Sequence, residues 1–321
     1  MVRKRWVVGG VAAASATGAA IWAAPLAADP EGVKDCGPEV AKLAFDKAQA
    51  GAAAEPDWTQ AGGTINDESC LSRTAIRGVV APATEAQLAD ALAYARANKL
   101  PVTAAGAKHS MGGQAFAKGG VVIDMRRMNA VRLDREARPI TVGAGARWHD
   151  IQNKIHPEFA VKAMQSTDVF TVGGSIAVNA HGMDHRAGAL MGSIRSLRVM
   201  LADGRIVTAS REENPGLFRH VVGGYGLFGI VTEATLDVVP NDIYRSARAV
   251  IAAKDFPKTF AALEADPNVG LTYTHLSTAP GNLLEEALVY SYTKVPDETG
   301  LERAPLSEVG AVKLRRLTVN M

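Results

Sequence analysis

The sequence predicts a mixed α+β fold, and three observations carry the prediction. From residue 76 onward, short apolar runs alternate with amphipathic helical stretches. An Asp203-Gly204 pair joins two of those runs in the manner of a hairpin turn. The run Ile230 to Val239 sets Ile230, Ala234, Leu236 and Val238 against Glu233, Thr235 and Asp237 at period two, as a half-buried strand does. In order, the first strand is expected at Ile76 to Val80, with a turn at Pro82. Thr84 is placed to cap a helix, with Gln87 completing a capping box. That helix carries Leu88, Leu92 and Ala95 on one face and stops at Leu100-Pro101. Strands follow at Val102 to Ala105, Val121 to Met125, Ile140 to Val142, Ile194 to Leu201 and Arg205 to Val207, with helices at Trp148 to Ile155 and near Pro215 to His220. Pro240 marks a change, because residues 241–321 hold new strand and helix patterns without a glycine-rich loop. They read as the start of a second domain.

The chain has 321 residues and a formal charge of +2, with its basic residues scattered. It lacks the continuous basic surface that binding a phosphate backbone requires, so nucleic acid is not expected as a partner. Arg3, Lys4 and Arg5 precede an uncharged run from Trp6 to Leu26, the layout of an export signal. As a helix this run spans roughly 31 Å, so an uncleaved membrane anchor is the competing reading. Residues 1–28 are thus a signal peptide or anchor, and 29–72 an N-terminal arm rich in alanine and glycine. The two cysteines, Cys36 and Cys70, either pair in an oxidising compartment or remain inert thiols.

Three glycine-rich segments carry the chemistry. The first, residues 104–116, runs out of a predicted strand into Gly106, His109, Ser110, Gly112 and Gly113. Small side chains there let an anionic ligand approach backbone N–H groups, although a plain tight turn uses the same glycines. The second, residues 171–182, sets Gly173 and Gly174 at the expected start of a helix, a place suited to an anion or to close packing. The third contains a literal Gly224-x-Gly226-x-x-Gly229. A nicotinamide-cofactor fingerprint must follow a strand and open a helix, whereas this one follows a helix and enters a strand, so that reading is rejected.

In this order and spacing the motifs resemble the FAD-binding domain of the vanillyl-alcohol oxidase and p-cresol methylhydroxylase (PCMH-type) superfamily. The likeness begins at Gly78-Val79-Val80-Ala81-Pro82-Ala83-Thr84 and passes through His109-Ser110 with Gln114. It continues in Ile140-Thr141-Val142-Gly143-Ala144-Gly145, Thr171-Val172-Gly173-Gly174, Ala202-Asp203-Gly204 and Phe228-Gly229-Ile230-Val231-Thr232. His109-Ser110 followed by Gly113-Gln114-Ala115 is most similar to cytokinin dehydrogenases, and Ala180-His181-Gly182 to sugar-lactone and alditol oxidases.

The resemblance implies a two-subdomain PCMH-type FAD-binding domain over 73–240 and a partial α+β cap domain over 241–321. Carried over by position, Ala105, Gly106, Ala107, Lys108 and Ser110 would line the pyrophosphate, with Gln114 nearby. Thr171, Gly173, Gly174 and Ala177 would form the second loop, and Asp168, His181 and Val231 would be further cofactor contacts. Lys108 stands where the family has glycine or arginine, which bears on the shape of the loop. His109 matches the residue that bonds to the flavin 8α carbon in many relatives, and a neutral imidazole is a competent nucleophile for that bond. The function implied is hydride transfer from a small organic substrate (an alcohol, lactone or amine) to flavin N5, with oxygen or another acceptor reoxidising the flavin. The base would come from the cap or the later chain, and no residue is assigned to it. The ending Lys313-Leu314-Arg315-Arg316-Leu317 motivates the alternative of a truncated flavin-binding scaffold without turnover. His181 and His185, four apart, could form half of a metal site on a helix, but no further ligand cluster accompanies them, and no metal is expected. His149 and His156 are expected on a surface helix and Trp148 in the core.

Overall fold

Up to Pro240, strand, helix and sheet are assembled around a main apolar core with a smaller cluster of Ile76, Val79, Phe116 and Val122 beside it, and the period of each segment decides which face it turns inward. The computed structural model describes residues 54–136, 138–296, 298–301 and 303. The leader segment, most of the arm, Cys36 and the Lys313-to-Leu317 ending lie outside the described residues. Among the described residues no cysteine is free.

The described chain enters through β1 (Trp58–Ala61), then β2 (Thr64–Ile65) paired with β3 (Thr74–Ala75), then β4 (Gly78–Val80). Helix α1 (Glu85–Ala97) leads to β5 (Val102–Ala105), and a glycine-rich loop leads on to β6 (Val121–Asp124). The sheet order is β1-β4-β6-β5. β6 runs parallel to both β4 and β5, and β1 closes the edge antiparallel to β4. A parallel arrangement needs a crossover, and α1 supplies it. The helix starts where the sequence says. Thr84 Oγ1 accepts the Gln87 N–H, and Gln87 Oε1 in return accepts the Ala83 N–H, a capping box displaced by one residue. Leu88, Ala91, Leu92 and Ala95 form its buried face.

β7 (Val131–Leu133), β8 (Pro139–Gly143), α2 (Trp148–Ile155), β9 (Phe159–Val161) and α3 (Val172–Ala177) come next. They are followed by β10 (Ile194–Met200), β11 (Ile206–Ser210), α4 (Pro215–Val221) and β12 (Ile230–Pro240). The second sheet is antiparallel in the order β11-β10-β12-β8-β7, with β9 on the far end of β12. Its hairpin turns at Gly204, where φ is +88° and the N–H reaches Leu201 O. Along β12 the alternation holds from Thr232 onward, but Val231 and Thr232 are both buried. The register against β10 shifts between Arg198 and Val199, leaving Thr232 as the extra residue of a bulge. Ile123 and Leu88 from the first sheet and helix share a core with Ile140, Trp148, Val172, Ile176, Leu197 and Leu236 from the second.

Beyond Pro240, β13 (Tyr244–Ala252), α5 (Phe256–Ala265), β14 (Val269–Leu276) and β15 (Glu286–Lys294) form a separate antiparallel sheet in the order β13-β15-β14. Two expectations are corrected. Residues 58–75, read as part of an arm, are strands of the first sheet and a small pair beside it. Ile76 and Arg77 are irregular because their N–H groups turn to Gly63 O and Gly120 O instead of a neighbouring strand.

Candidate cofactor-binding site

Loop 106–116 leaves the end of β5 and meets α3 at once. A Cβ on Gly106 would lie 1.9 Å from Thr171 Oγ1, and Thr171 is buried, so only glycine fits. Two segments 65 positions apart in sequence therefore touch at their first residues. A second contact lies beside it: the His109 ring stands edge-on to Phe170, with centroids 4.9 Å apart.

Helix α3 is set down on the end of β8. Val172 N–H donates to Ala146 O at 2.9 Å and Gly173 N–H to Ala144 O at 2.8 Å. A Cβ on Gly173 would sit 2.9 Å from that of Ala144. Ser175 N–H returns to Thr171 O. The expected row of free amides is thereby narrowed, because these bonds leave only Gly174 over in the first turn. With six residues α3 has a weak dipole, so what it offers a ligand is close approach to the backbone.

The third glycine segment closes the other end of α3. Gly223 N–H donates to Ile176 O and Tyr225 N–H to Ala177 O, both at 2.9 Å. A Cβ on Gly224 would collide with His220 O. The segment follows α4 and enters β12, as the rejection of a nicotinamide fingerprint requires. All three segments thus converge on one short helix.

Individual residues fall as follows. Lys108 takes a left-handed conformation, φ 57°, which explains why glycine suits this position, and the strain is about 1 kcal/mol. The imidazole of His109 is held below the ordinary histidine range by burial, with the Glu68 carboxylate opposing. It is neutral at physiological pH. Ala105 packs with Ile65 and Phe116 under the loop, while Ala107 and Ser110 are half-buried. The Gln114 side chain folds back over Gly112. Asp168 is engaged by His149, whose Nδ1 lies 2.8 Å from Asp168 Oδ2 and whose N–H donates to Asp168 O. Ala177 ends α3, and the Val231 side chain lies in the core. His181 is exposed and bridges to Ala189. It shares no helix with His185, because α3 has ended; His185 is turned against Phe260 of α5. Trp148 is fully buried, its indole N–H on Ser175 Oγ at 2.9 Å.

Sequence reasoning missed Asp67 and Glu68, both buried against loop 106–116. Asp67 Oδ2 accepts the Gly113 N–H at 2.8 Å, and Glu68 N–H donates to Lys108 O at 3.1 Å. Their only sequence signal was two adjacent acids in a small-residue stretch.

The residues present fit an extended phosphate-bearing cofactor, since Gly106 packs on Thr171 and Gly173 on Ala144 to bring two loops together, while Gly174, with only Thr171 Oγ1 near it, leaves its backbone open to close approach. Fold and site define an α+β domain whose loop backbone is shaped for such a cofactor, without a nicotinamide fingerprint. Residues 76–210 match the family described as FAD binding domain, and this match, with the relatives that follow, supports an FAD-binding domain of the PCMH type in that stretch of the chain. It is 36% identical to cytokinin dehydrogenase 2 of Arabidopsis thaliana over 51% of this chain and 34% of that protein. It is 35% identical to an uncharacterized oxidoreductase of the fasciation locus of Rhodococcoides fascians, over 49% of this chain and 36% of the relative. A FAD-linked oxidoreductase of Pyricularia oryzae is 32% identical over 50% of this chain and 32% of its own length. The chain spans about a third of the length of these relatives.

Proposed function

We propose that the chain is the flavin-holding part of an FAD-dependent oxidoreductase, with the cofactor tethered through His109. The observation that carries the reading is the Gly106–Thr171 contact, which joins two glycine loops and sets His109 beside Phe170. Bound FAD would supply the electron sink that takes a hydride from an alcohol, lactone or amine and passes the electrons to oxygen or another acceptor. Ala105, Gly106, Ala107, Lys108 and Ser110 would line the pyrophosphate with Gln114 nearby, Thr171, Gly173, Gly174 and Ala177 would form the second loop, and Asp168, His181 and Val231 would be further neighbours. His109, kept neutral by burial, presents a nitrogen lone pair for attachment. The N-terminal basic and apolar pattern supports export with cleavage or anchoring, which cell fractionation and N-terminal sequencing of the mature protein would test.

The decisive experiment is acid precipitation of the purified protein. Yellow colour should stay with the polypeptide, and His109→Ala should release it. Protein that takes up no FAD under any condition would defeat the cofactor reading; wild-type protein that releases all its FAD would defeat only the tether. Because relatives are named cytokinin dehydrogenases, cytokinins head the substrate panel, followed by alcohols and lactones with an artificial acceptor.

A further inference from the structure

The turn at residues 67–70 has more structure than an outer connection needs. Asp67 and Glu68 are 2% and 8% exposed, and burying carboxylates is costly unless hydrogen bonds or opposite charges compensate them. Asp67 accepts from the Ser69 N–H and hydroxyl and from the Gly113 N–H, and its own carbonyl takes the Cys70 N–H. Glu68 ties its backbone to Lys108, the residue before His109. A third tie lies at Gly113, φ +73°, where a Cβ would stand 2.5 Å from that of Ser72. The turn therefore grips the histidine loop on both sides of His109, at residues 108 and 113.

We propose that Asp67–Glu68 is a positioning element for flavin attachment: Asp67 fixes the loop, and the Glu68 carboxylate stabilises the positive charge His109 acquires as it bonds to the flavin. This rests on the tether proposed above. In that step an imidazole nitrogen of His109 bonds to the 8α carbon. One proton leaves that carbon and one leaves the imidazole, and the electron pair left on the flavin is passed to dioxygen, giving hydrogen peroxide. As its nitrogen forms the new bond, and before its proton departs, the ring is cationic. A fixed carboxylate in a water-poor site stabilises that state without reorganising. Geometry places this charge beside the ring: the Glu68 N–H holds Lys108 O at 3.1 Å, so its buried side chain starts next to the residue before His109, and its charge opposes the effect of burial on the imidazole.

The test uses the full chain made in riboflavin-starved cells and then given FAD, following acid-stable flavin with time. Glu68→Gln should slow attachment by about tenfold or more, and Glu68→Asp should recover part of the rate. The acid limb of the rate against pH should move to lower pH in Glu68→Gln, because removing the carboxylate lets burial lower the imidazole further. A merely structural role would not move it. In the His109→Ala background, adding Glu68→Gln should leave FAD affinity within about threefold. Attachment by Glu68→Gln at the wild-type rate overturns the role of Glu68 alone, and so does a large loss of FAD affinity in the double variant. A wild type with only releasable flavin overturns the tether and this proposal together, and is told apart by its first control.

Discussion

The cradle up to Pro240 and the sheet beyond it are both rich in antiparallel strands, but they are held by different means. In the cradle, α2 buries Trp148, Ile151 and Ile155, α3 buries Val172 and Ile176, and glycines bring backbones into direct contact. In the later sheet, residues Arg245 to Val250 of β13 are exposed, α5 has no buried residue, and the apolar burial rests on Val269, Ala287 and Val289. Polar bonds fasten this sheet to the cradle. Thr272 N–H donates to Met183 O, and the Arg186 guanidinium donates to the carbonyls of Glu264, Asp266 and Val269. Packing fixes the candidate cofactor site, while hydrogen bonds fasten the later sheet to the cradle. The two regions should accordingly fail separately.

The largest expected effect is in the cradle. Gly106→Val should cost about 2–3 kcal/mol in denaturant unfolding and abolish FAD retention, because Thr171 is buried and cannot yield. Retention of FAD by this variant would show that the two loops do not form one site. Trp148→Phe comes next, at about 1–2 kcal/mol, since it removes the indole N–H that Ser175 Oγ and Gln165 Oε1 accept beneath α3 and leaves these oxygens only the Ser175 hydroxyl to share. FAD affinity should weaken with it. Arg186→Ala should cost only about 1 kcal/mol, because its bonds are partly exposed. It should raise hydrogen exchange in β14 and α5 with no change in FAD retention. If FAD is lost as well, the separation of the two regions is wrong.

The same contrast governs what the sequence could disclose. The cradle was legible where one residue type has one reason to be present: Thr84 and Gln87 as a cap, Gly204 at positive φ, Trp148 to Ile155 as a helix with matching bounds. Composition left its glycine loops open to two readings, a ligand site or tight turns and close packing, and only their order, as a family resemblance, favoured the first. Their meeting was not legible, because Gly106 and Thr171 are joined by topology alone. β1, β2 and β3 were missed for a physical reason: strands of two to four residues are too short to display a period. Asp67 and Glu68 were hidden with them, since a buried acid and a solvated acid look alike until their partners are known. In the later sheet, β13 offers little alternation because much of it is exposed on both faces.

Changes of pH give the finest test, because the cradle carries a lowered carboxyl at Glu85, while the later sheet carries raised phenols beside a lowered carboxyl of its own at Glu298. In the cradle, the Glu85 carboxyl is lowered by the hydrogen bond from Arg198, assisted by Thr232, and it links α1 to β10 and β12. A group lowered in the folded state stabilises above its unfolded value and loses that contribution as pH falls through the folded one. Acid should therefore loosen the cradle, and Glu85→Gln should flatten this dependence by less than about 1 kcal/mol, given a partly exposed pair. In the later sheet the phenols run the other way. Burial raises Tyr244, helped by Asp242, and burial raises Tyr273, which stacks on Tyr290 at 4.6 Å. A raised group contributes fully below its unfolded value and loses its contribution as pH climbs through the folded one, so alkali should loosen this sheet. Hydrogen exchange read region by region across the pH range checks both signs. Tyr273→Phe should remove part of the alkaline loss in β14 and β15 and leave the acid response of α1 untouched. Acid loosening of β14 and α5 that persists in Glu298→Gln, where the later region's own lowered carboxyl is gone, would mean that the polar bonds at Met183 and Arg186 couple the regions more tightly than their burial implies.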